Sequence, residues 1–516
     1  MNNLQLTIIE KNNRINHQAK EIVNSLLEEI LITEEDIIKW FKSWKRVILS
    51  LGAHILKRHS EFLEKGKEIK KSGFPWNKTI AKEFGNILKQ LKRNDSLVDT
   101  YTEISSEYTL LNYLAFGKLI PGVTPKKISS IFPDINVKKI ICGNVHAMII
   151  TTEGHVYTWG DSSCNRLGRE YNGGVYPERV EELEGIVEGA CGYSHTFVID
   201  CNGFLWGWGN VLDGRLGVEP EFTMDEIGDL AGIPKPKRIT ASAPIWTVND
   251  DDEYIEEEVL FKSIMAGSTF SIALSLDNQL YTWGERGYNG LTSDINIYRP
   301  TKMLTALYFR SISIGSGGYH ALALSMAGYV YSWGHNQVGQ VGKPVVETDL
   351  YDRLNDNSYS ILRPYIVPTP CIMEFSRSVF VKSISAGWGH SLFLTINGTV
   401  MSCGRNTSGQ LGSNPEECQI NTKGNNYRYQ VGRIDGLCNI TQIGAGGKHS
   451  LAVDSSGHIW TWGLNNNTNN FDGDVNILGR DFNGNSTYIP NVCTIKGNPN
   501  TKPNLGFHCS FVPIED

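Results

Sequence analysis

The sequence predicts an all-β, seven-bladed propeller preceded by a smaller α-helical domain, and a repeated pair of signals carries this prediction. A small residue and a glycine lead into an apolar strand seven times, and an aromatic-glycine or related pair ends a second strand seven times. The first signal falls at Gly143, Gly192, Gly267, Gly317, Gly387, Gly446 and Gly506. The second begins at Phe116, Trp159, Trp208, Trp283, Trp333, Cys403 and Trp462.

The stretch between the two signals predicts a β-hairpin in each unit. Residues 195–209 read as an apolar strand, an Asn202-Gly203 turn and an alternating second strand. Such a turn needs residues that tolerate positive φ, and Asn278, Gly328, Gly398 and Gly457 supply them in other units. One hairpin cannot bury both faces of its sheet, so the units are expected to stack around an axis.

The ends of the repeat predict how the ring closes. The last unit reaches Asp516 without an aromatic-glycine strand, and residues 109–117 form such a strand without a preceding unit. We therefore expect residues 109–117 to pair with residues 505–514 in one blade, so that the propeller spans residues 109–516. This pairing would hide two open sheet edges.

Residues 1–108 follow a helical pattern. Ile37, Phe41, Trp44, Ile48, Leu51 and Ile55 recur every three or four residues, which places them on one stripe of a helix. Residues 37–93 carry 15 basic and 4 acidic side chains. Two interpretations stay open: a helical bundle with a tryptophan core, or a basic amphipathic surface for an anionic membrane or a protein partner. The second would use Trp40, Lys42, Trp44, Lys45 and Arg46.

Composition and motifs favour a binding protein over a chemical catalyst. No apolar run long enough to span a membrane and no secretion signal is present, so we expect a cytoplasmic protein. Residues 109–516 carry 30 basic and 40 acidic side chains, which disfavours a nucleic-acid partner. No phosphate loop, nucleophile elbow or paired metal-ligand motif occurs, so we expect no catalytic residue, metal or cofactor.

The histidines that follow the glycines occupy equivalent positions of separate blades. A metal site is one interpretation, but equivalent positions around a wide ring are too far apart for three nitrogens to reach one ion. The alternative is that each histidine is packed between blades and satisfies buried backbone groups. Phe270 at one of the positions favours this structural role.

These residues resemble the regulator of chromosome condensation repeat family of seven-bladed propellers. The resemblance covers residues 109–516 and includes the Gly-Gln-Leu-Gly step at residues 409–412. The founding member of that family is a nucleotide-exchange factor for the GTPase Ran, and it uses acidic residues two positions before the histidine. The corresponding residues here are not acidic: Asn144, Tyr193, Ser268, Gly318, Trp388, Gly447 and Gly506.

Two sets of residues are predicted to contact a partner. The loops that enter the histidine strands present Asn144, Tyr193, Tyr319, Trp388 and Lys448, which either anchor an interface or pack on neighbouring blades. The second set is an acidic insertion in the long interval between Gly209 and Gly284, which either attracts a basic protein or is a solvated loop. Its acids are Asp250, Asp251, Asp252, Glu253, Glu256, Glu257 and Glu258.

Two functional hypotheses follow. In the first, the propeller binds a Ran-like small GTPase or its regulators and promotes GTPase activation, including by nucleotide exchange. In the second, it is a non-enzymatic scaffold or inhibitor, as in propeller-type β-lactamase inhibitors. The Asn, Ile and Lys usage also suits a secreted bacterial effector, which would act in a host cytosol or at a host membrane surface.

Overall fold

The computed structural model describes most of the repeat region. The described residues are 112–117, 126–127, 132–170, 176–219, 232–241, 245–248, 254–303, 305, 307–315, 317–345, 365–421, 423–465, 478, 486–506 and 509–514. The predicted helical domain lies outside them, and so do Trp40, Lys42, Trp44, Lys45 and Arg46. Nothing in the described part of the chain is a helix of the length and apolarity that crossing a membrane requires.

Antiparallel strands build almost the whole of this region, and they are numbered in chain order. The chain enters through β1 (Asn112–Gly117) and β2 (Lys126–Lys127). Sheet 1 contains β3 (Val137–Cys142), β4 (His146–Thr151), β5 (Val156–Gly160) and β6 (Glu178–Arg179). Sheet 2 contains β7 (Ile186–Cys191), β8 (His195–Asp200), β9 (Leu205–Asn210) and β10 (Gly232–Ile239). A separate hairpin of β11 (Ile245–Val248) and β12 (Tyr254–Glu257) follows.

The next two sheets repeat the same order. Sheet 3 contains β13 (Phe261–Ala266), β14 (Phe270–Ser275), β15 (Leu280–Gly284) and β16 (Ile297–Lys302). Sheet 4 contains β17 (Phe309–Ile314), β18 (His320–Ser325), β19 (Val330–His335) and β20 (Ile366–Ile372). Short 3-10 helices occur at Ser163–Asn165, Leu212–Gly214, Glu374–Arg377 and Pro415–Glu417.

The carboxyl-terminal third completes the ring. Sheet 5 contains β21 (Val381–Ala386), β22 (His390–Thr395), β23 (Val400–Arg405), β24 (Gln419–Ile420) and β25 (Asn426–Arg433). Sheet 6 contains β26 (Ile440–Ala445), β27 (His449–Asp454), β28 (His458–Leu464) and β29 (Ser486–Lys496). Sheet 7 joins β30 (Asn504–Leu505) and β31 (Cys509–Ile514) to β1 and β2.

Sheet 7 combines the two ends of the repeat region. Strand β1 pairs antiparallel with β31, with Asn112 opposite Ile514 and Gly117 opposite Cys509. These strands lie within the two segments that the sequence analysis paired. Sheet 1 contacts sheet 7 through β3 with β30 and β31, so the chain of sheet-to-sheet contacts is closed.

The all-β propeller class is confirmed, but the expectation of seven blades is corrected to six regular four-stranded blades. Six sheets have the four strands of a regular blade, whereas sheet 5 has five strands. The additional strand is β24, which folds back on β25 with Gln419 opposite Tyr427. The sequence pattern missed it because the repeat signals mark only the two inner strands of each sheet.

The core lies between successive sheets. The second strand of sheets 1 to 6 is buried along its whole length. The tryptophans that end the third strands fill the space between neighbouring sheets. For example, Trp283 of sheet 3 packs edge-on against Phe197 of sheet 2, with ring centroids 5.6 Å apart. Five such tryptophans are at most 1% exposed: Trp159, Trp208, Trp283, Trp333 and Trp462.

The strand directions give the propeller two distinct faces. The loop face carries the Gly-x-x-His loops between first and second strands, together with the ends of the third strands. The turn face carries the hairpin turns between second and third strands, where the predicted turn residue Asn278 has a φ of 67°. The first strand of each sheet also begins at the turn face.

Candidate functional site

Five histidines link successive sheets beneath the loop face. In each pair, the histidine Nε2 lies 2.8–3.0 Å from a hydroxyl oxygen on the second strand of the next sheet. The pairs are His146 with Thr196, His195 with Ser271, His320 with Ser391, His390 with Ser450, and His449 with Ser510. All of these side chains are buried.

The hydrogen-bond directions fix the protonation of these histidines. The Thr196 hydroxyl donates to the Arg166 carbonyl at 2.8 Å, and the Ser450 hydroxyl donates to the Gln410 carbonyl at 2.8 Å. Each hydroxyl must therefore accept from a histidine Nε2–H. Burial lowers the pKa of His390 to about 3, so the ring is neutral at physiological pH.

The tryptophans share the same acceptors. The Trp208 indole donates to the Arg166 carbonyl at 2.9 Å, and the Trp462 indole donates to the Gln410 carbonyl at 2.9 Å. One loop carbonyl therefore joins a tryptophan and a hydroxyl of the next sheet. The expected structural role of the histidines holds, but each histidine bonds directly to a side-chain hydroxyl. In the two pairs described above, that hydroxyl then donates to a backbone carbonyl.

Sheets 3 and 4 replace this network with an apolar pair. Phe270 stands where sheets 1, 2, 4, 5 and 6 have histidine, and sheet 4 has Ala321 where sheets 2, 3, 5, 6 and 7 have a hydroxyl. The two changes are consistent with each other, because Phe270 cannot donate and Ala321 cannot accept. Trp333 Nε1 of sheet 4 is buried without a hydrogen-bond partner. Among the residues that the structure describes, no group of three His, Cys, Asp or Glu side chains is placed to hold a metal ion.

Above the histidines, the loops form a ring, and backbone hydrogen bonds link five pairs of neighbouring loops. Asn144 N donates to Gly192 O at 3.2 Å, and Tyr193 N donates to Gly267 O at 3.0 Å. In the other three bonds, the backbone N–H donates to a carbonyl of the next sheet: Ser268 to Gly318, Trp388 to Gly446, and Gly447 to Gly506. In sheets 1, 2, 3, 5 and 6, the residue two positions before the histidine or Phe270 is therefore held in place by the neighbouring sheet, whereas Gly318 N of sheet 4 donates to Gly315 O of its own loop. Side chains at the five linked positions are presented from a fixed backbone.

Three of the predicted contact loops meet near the axis. A β-carbon at Gly317 of sheet 4 would lie 3.3 Å from the Tyr193 ring and 3.6 Å from Asn144 Oδ1. Tyr193 is 45% exposed, whereas Asn144 is partly buried. The structure thus brings Asn144 and Tyr193 together, and Tyr193 is the more accessible of the two.

Tyr319 belongs to an aromatic cluster on the loop face of sheets 3 and 4. Its ring centroid lies 5.3 Å from Tyr288 and 6.3 Å from His335, and His335 is 5.2 Å from Tyr365. Tyr319 is partly buried by these contacts. Tyr319 therefore packs on its neighbours and also reaches the surface, and its role as an interface contact stays a prediction.

Trp388 and Lys448 share their sector with a residue that the sequence analysis missed. The Arg405 guanidinium carbon lies 4.7 Å from the Trp388 ring centroid. Burial lowers the pKa of Lys448, and the nearby positive charge of Arg405 lowers it further. Arg405 directly follows Cys403-Gly404 at the end of a third strand. That position in the repeat was the sequence signal that could have placed Arg405 on the loop face.

The acidic insertion leaves the propeller at the other face. Strand β10 ends at Ile239 opposite Leu205, and β13 begins opposite Ser275, so the connection between them starts and ends at the turn face. The described ends of this connection therefore lie at the face opposite the loops that carry Tyr193 and Trp388. Asp250, Asp251, Asp252 and Glu253 lie outside the described residues, and Glu256 and Glu257 fall on β12.

Glu258 is already paired within the propeller. Its carboxylate accepts two hydrogen bonds from Arg238, one of them from Nε at 3.0 Å. The Arg238 guanidinium carbon in turn lies 3.6 Å from the Phe204 ring centroid. Glu258 thus stabilises the base of the insertion, and it offers less free charge to a partner than the sequence suggests.

Comparisons with known proteins agree with this architecture. The chain is 28% identical over 349 residues to Protein pim1 of Schizosaccharomyces pombe, covering 64% of this chain and 59% of pim1. It is 29% identical over 326 residues to the Ultraviolet-B receptor UVR8 of Arabidopsis thaliana, covering 60% and 64%. The chain thus spans less than two thirds of each of these relatives.

Solved structures give the same fold. Prp20p of Saccharomyces cerevisiae superposes with a TM-score of 0.59 at 18% identity, covering 79% of this chain and 92% of Prp20p. Human WBSCR16 superposes with a TM-score of 0.58 at 18% identity, covering 78% and 100%. A sequence profile described as the RCC1-like domain matches residues 113–491. With that match, the Gly-x-x-His loops and the ring of sheets, the chain belongs to the RCC1-like domain family.

Proposed function

We propose that this propeller binds a Ran-like small GTPase, or a regulator of one, through its loop face. The observation that carries the proposal is the ring of loops from Asn144 to Gly506, in which five backbone hydrogen bonds between neighbouring loops hold the backbone in fixed positions. Exposed Tyr193 and partly buried Trp388 stand on this ring. Tryptophan, tyrosine and arginine are the residue types that anchor protein interfaces.

The relatives support this choice of partner. The structure report on Prp20p names its binding to Gsp1p and histones. The family resemblance points to a Ran-like GTPase, since the founding member acts on Ran. The net negative charge of residues 109–516 makes a nucleic-acid partner unfavourable.

Binding without exchange is the second candidate, and the loop residues favour it. Exchange requires the factor to bind the nucleotide-free GTPase more tightly than the loaded form. In the founding member of the family, acidic residues two positions before the histidine serve this purpose. Here the described loops offer Asn144, Tyr193, Ser268, Gly318 and Trp388 at those positions, and none of these side chains is acidic.

We also infer that the five-stranded sheet 5 acts as a blade, which makes the ring sevenfold. Two hydrogen bonds support this, because His320 of sheet 4 reaches Ser391 of sheet 5 and His390 of sheet 5 reaches Ser450 of sheet 6. Sheet 5 is therefore joined to both neighbours as the four-stranded sheets are. The strand β24 lies at its outer edge.

A binding and release assay tests the proposed function. The full chain is immobilised and exposed to a Ran-like GTPase in nucleotide-free, GDP-loaded and GTP-loaded forms, and release of a fluorescent nucleotide is then followed. We expect binding, with Tyr193→Ala weakening it by about tenfold. Tyr308→Ala is the matched control, because Tyr308 is 54% exposed and lies directly before β17 on the turn face.

The outcomes separate the candidates. Preference for the nucleotide-free form together with faster release would establish exchange, whereas binding without faster release would establish a scaffold. No binding of any form would reject the GTPase proposal. A cytoplasmic location, an effector role in a host cell and a membrane contact through residues 1–108 stay predictions.

A further inference from the structure

The cationic sector of the loop face, defined as Trp388, Arg405 and Lys448, has an unusual electrostatic composition. Trp388 N donates to Gly446 O at 3.2 Å, and Arg405 N donates to Gly389 O at 2.8 Å. The backbone thus fixes both residues, and the guanidinium lies over the indole ring at 4.7 Å. A cation held over an aromatic face in this way keeps its orientation.

The charges of this sector have no counter-charge in the described part of the chain. There, the Arg405 guanidinium and the Lys448 ammonium form no ion pair and no side-chain hydrogen bond, and Arg405 Nε is buried without an acceptor. Burial lowers the pKa of Arg405 as well as that of Lys448. Two partly desolvated cations therefore lie close enough for the charge of Arg405 to act on Lys448.

Two other arginines on the same face have hydrogen-bond acceptors and a nearby carboxylate. Arg166 donates from Nε to Ser163 O at 2.8 Å and from Nη1 to Tyr193 O at 3.3 Å, and it lies beside Asp161. Arg215 donates to Leu212 O at 2.9 Å and pairs with Asp213 at 2.6 Å. These two arginines support the loops, whereas the Arg405 side chain has no hydrogen-bond acceptor among the described residues.

An anion at this sector would relieve an unfavourable arrangement. Partial burial of a cation costs free energy unless the charge is paired, and a second cation adds repulsion. A guanidinium stacked on an aromatic ring still presents the N–H groups of its edge, which match the two oxygens of a carboxylate. The net negative charge of residues 109–516 disfavours an extended polyanion and favours a short acidic segment.

We propose that the cationic sector docks an acidic peptide segment of the protein partner, with an aspartate or glutamate carboxylate bound between Arg405 and Lys448 beside Trp388. This inference rests on the proposed function and specifies the chemistry of the partner. The inference places negative charge on the partner, whereas acidic loops on the propeller would require a positively charged partner surface.

The test measures binding of a labelled glutamate-rich peptide to the full chain by fluorescence anisotropy. A peptide of the same length with glutamine at every glutamate position is the neutral comparison. We expect binding of the acidic peptide alone, weakened about tenfold or more by Arg405→Gln and also weakened by Lys448→Gln. Raising the salt concentration should weaken it as well.

Arg377→Gln is the matched control, because it removes the same charge from an exposed arginine outside the sector, in the Glu374–Arg377 helix. It should leave the affinity within about twofold of wild type. Since Arg405 is partly buried, thermal unfolding of each variant checks the fold, and Lys448→Gln gives a second variant if Arg405→Gln is unstable. Equal binding of the glutamine peptide, or unchanged affinity in both sector variants, would overturn the inference.

Two further measurements complete the design. Tripolyphosphate is added as a competitor, and displacement at concentrations far below those of the free glutamate peptide would assign the sector to phosphate and overturn the carboxylate assignment. The sector variants are also carried through the GTPase assay. GTPase binding that is unaffected by them would reject this inference alone, whereas peptide binding without GTPase binding would reject only the proposed function.

Discussion

At the scale of residues, the side chain at the histidine position matches the side chain that faces it in the next sheet. His390 donates to Ser450 across the boundary between sheets 5 and 6, and Phe270 faces a sheet that has Ala321 at the equivalent position. The chain thus contains two solutions for one boundary, a polar pair and an apolar pair. A mixture of the two would leave a buried polar group without its partner, which costs more than either matched pair.

The stabilities of His390 and Ser450 variants are therefore expected to be coupled. His390→Phe alone should lower the free energy of unfolding by about 1–3 kcal/mol, because the hydroxyl loses its donor. His390→Phe with Ser450→Ala should cost less than the sum of the two single changes. Urea unfolding followed by tryptophan fluorescence measures the three values. His390→Phe with Ser510→Ala is the control, and additivity in both pairs would contradict the coupling.

At the scale of elements, the ends of the third strands position the loop face. Gly404 ends the regular part of β23 with a φ of 109°, and a β-carbon there would lie 2.5 Å from the Gly389 carbonyl oxygen. This close approach lets Arg405 N bond to the same carbonyl at 2.8 Å. The glycine of the repeat is therefore required by contact with the loop that precedes the histidine.

Gly404→Ala is expected to destabilise the propeller by about 3 kcal/mol, since both the backbone angle and the contact are unfavourable. Gly436→Ala is the matched control, because Gly436 also has positive φ, 80°, but has open space where the β-carbon would lie. That change should cost about 1 kcal/mol. Urea unfolding gives both values, and equal costs would show that the contact with Gly389 does not matter.

At the scale of the whole molecule, the buried histidines couple the stability of the ring to pH. Burial lowers the pKa of His146, His320 and His390 to about 3, and it lowers the pKa of His195 well below 6.5. The unfolded chain binds protons at these histidines below pH 6.5, whereas the folded ring does not. Stability from these four residues is therefore complete above pH 7 and declines as the pH falls from 6.5 towards 3.

At pH 5, each of these histidines should lower the free energy of unfolding by about 2 kcal/mol relative to pH 7. Urea unfolding at half-unit pH steps measures the slope. His390→Phe should reduce the slope by about one proton, because it removes one of the four groups. A free energy of unfolding that does not change between pH 7 and pH 5 would mean that the histidines are protonated in the folded ring.

The sequence alone determined the propeller, its repeat units and the pairing of its ends, because strand periodicity, turn glycines and the aromatic-glycine pairs are local signals. It also indicated that the histidines are structural, from Phe270 at one position. Only the tertiary structure decided which distant residues meet. It placed Arg405 over Trp388, and it showed that the acidic insertion leaves from the face opposite the contact loops. The tertiary structure was also needed to find the extra strand of sheet 5. Pairing partners and side-chain contacts depend on how the sheets stack and not on the residues nearby in the chain.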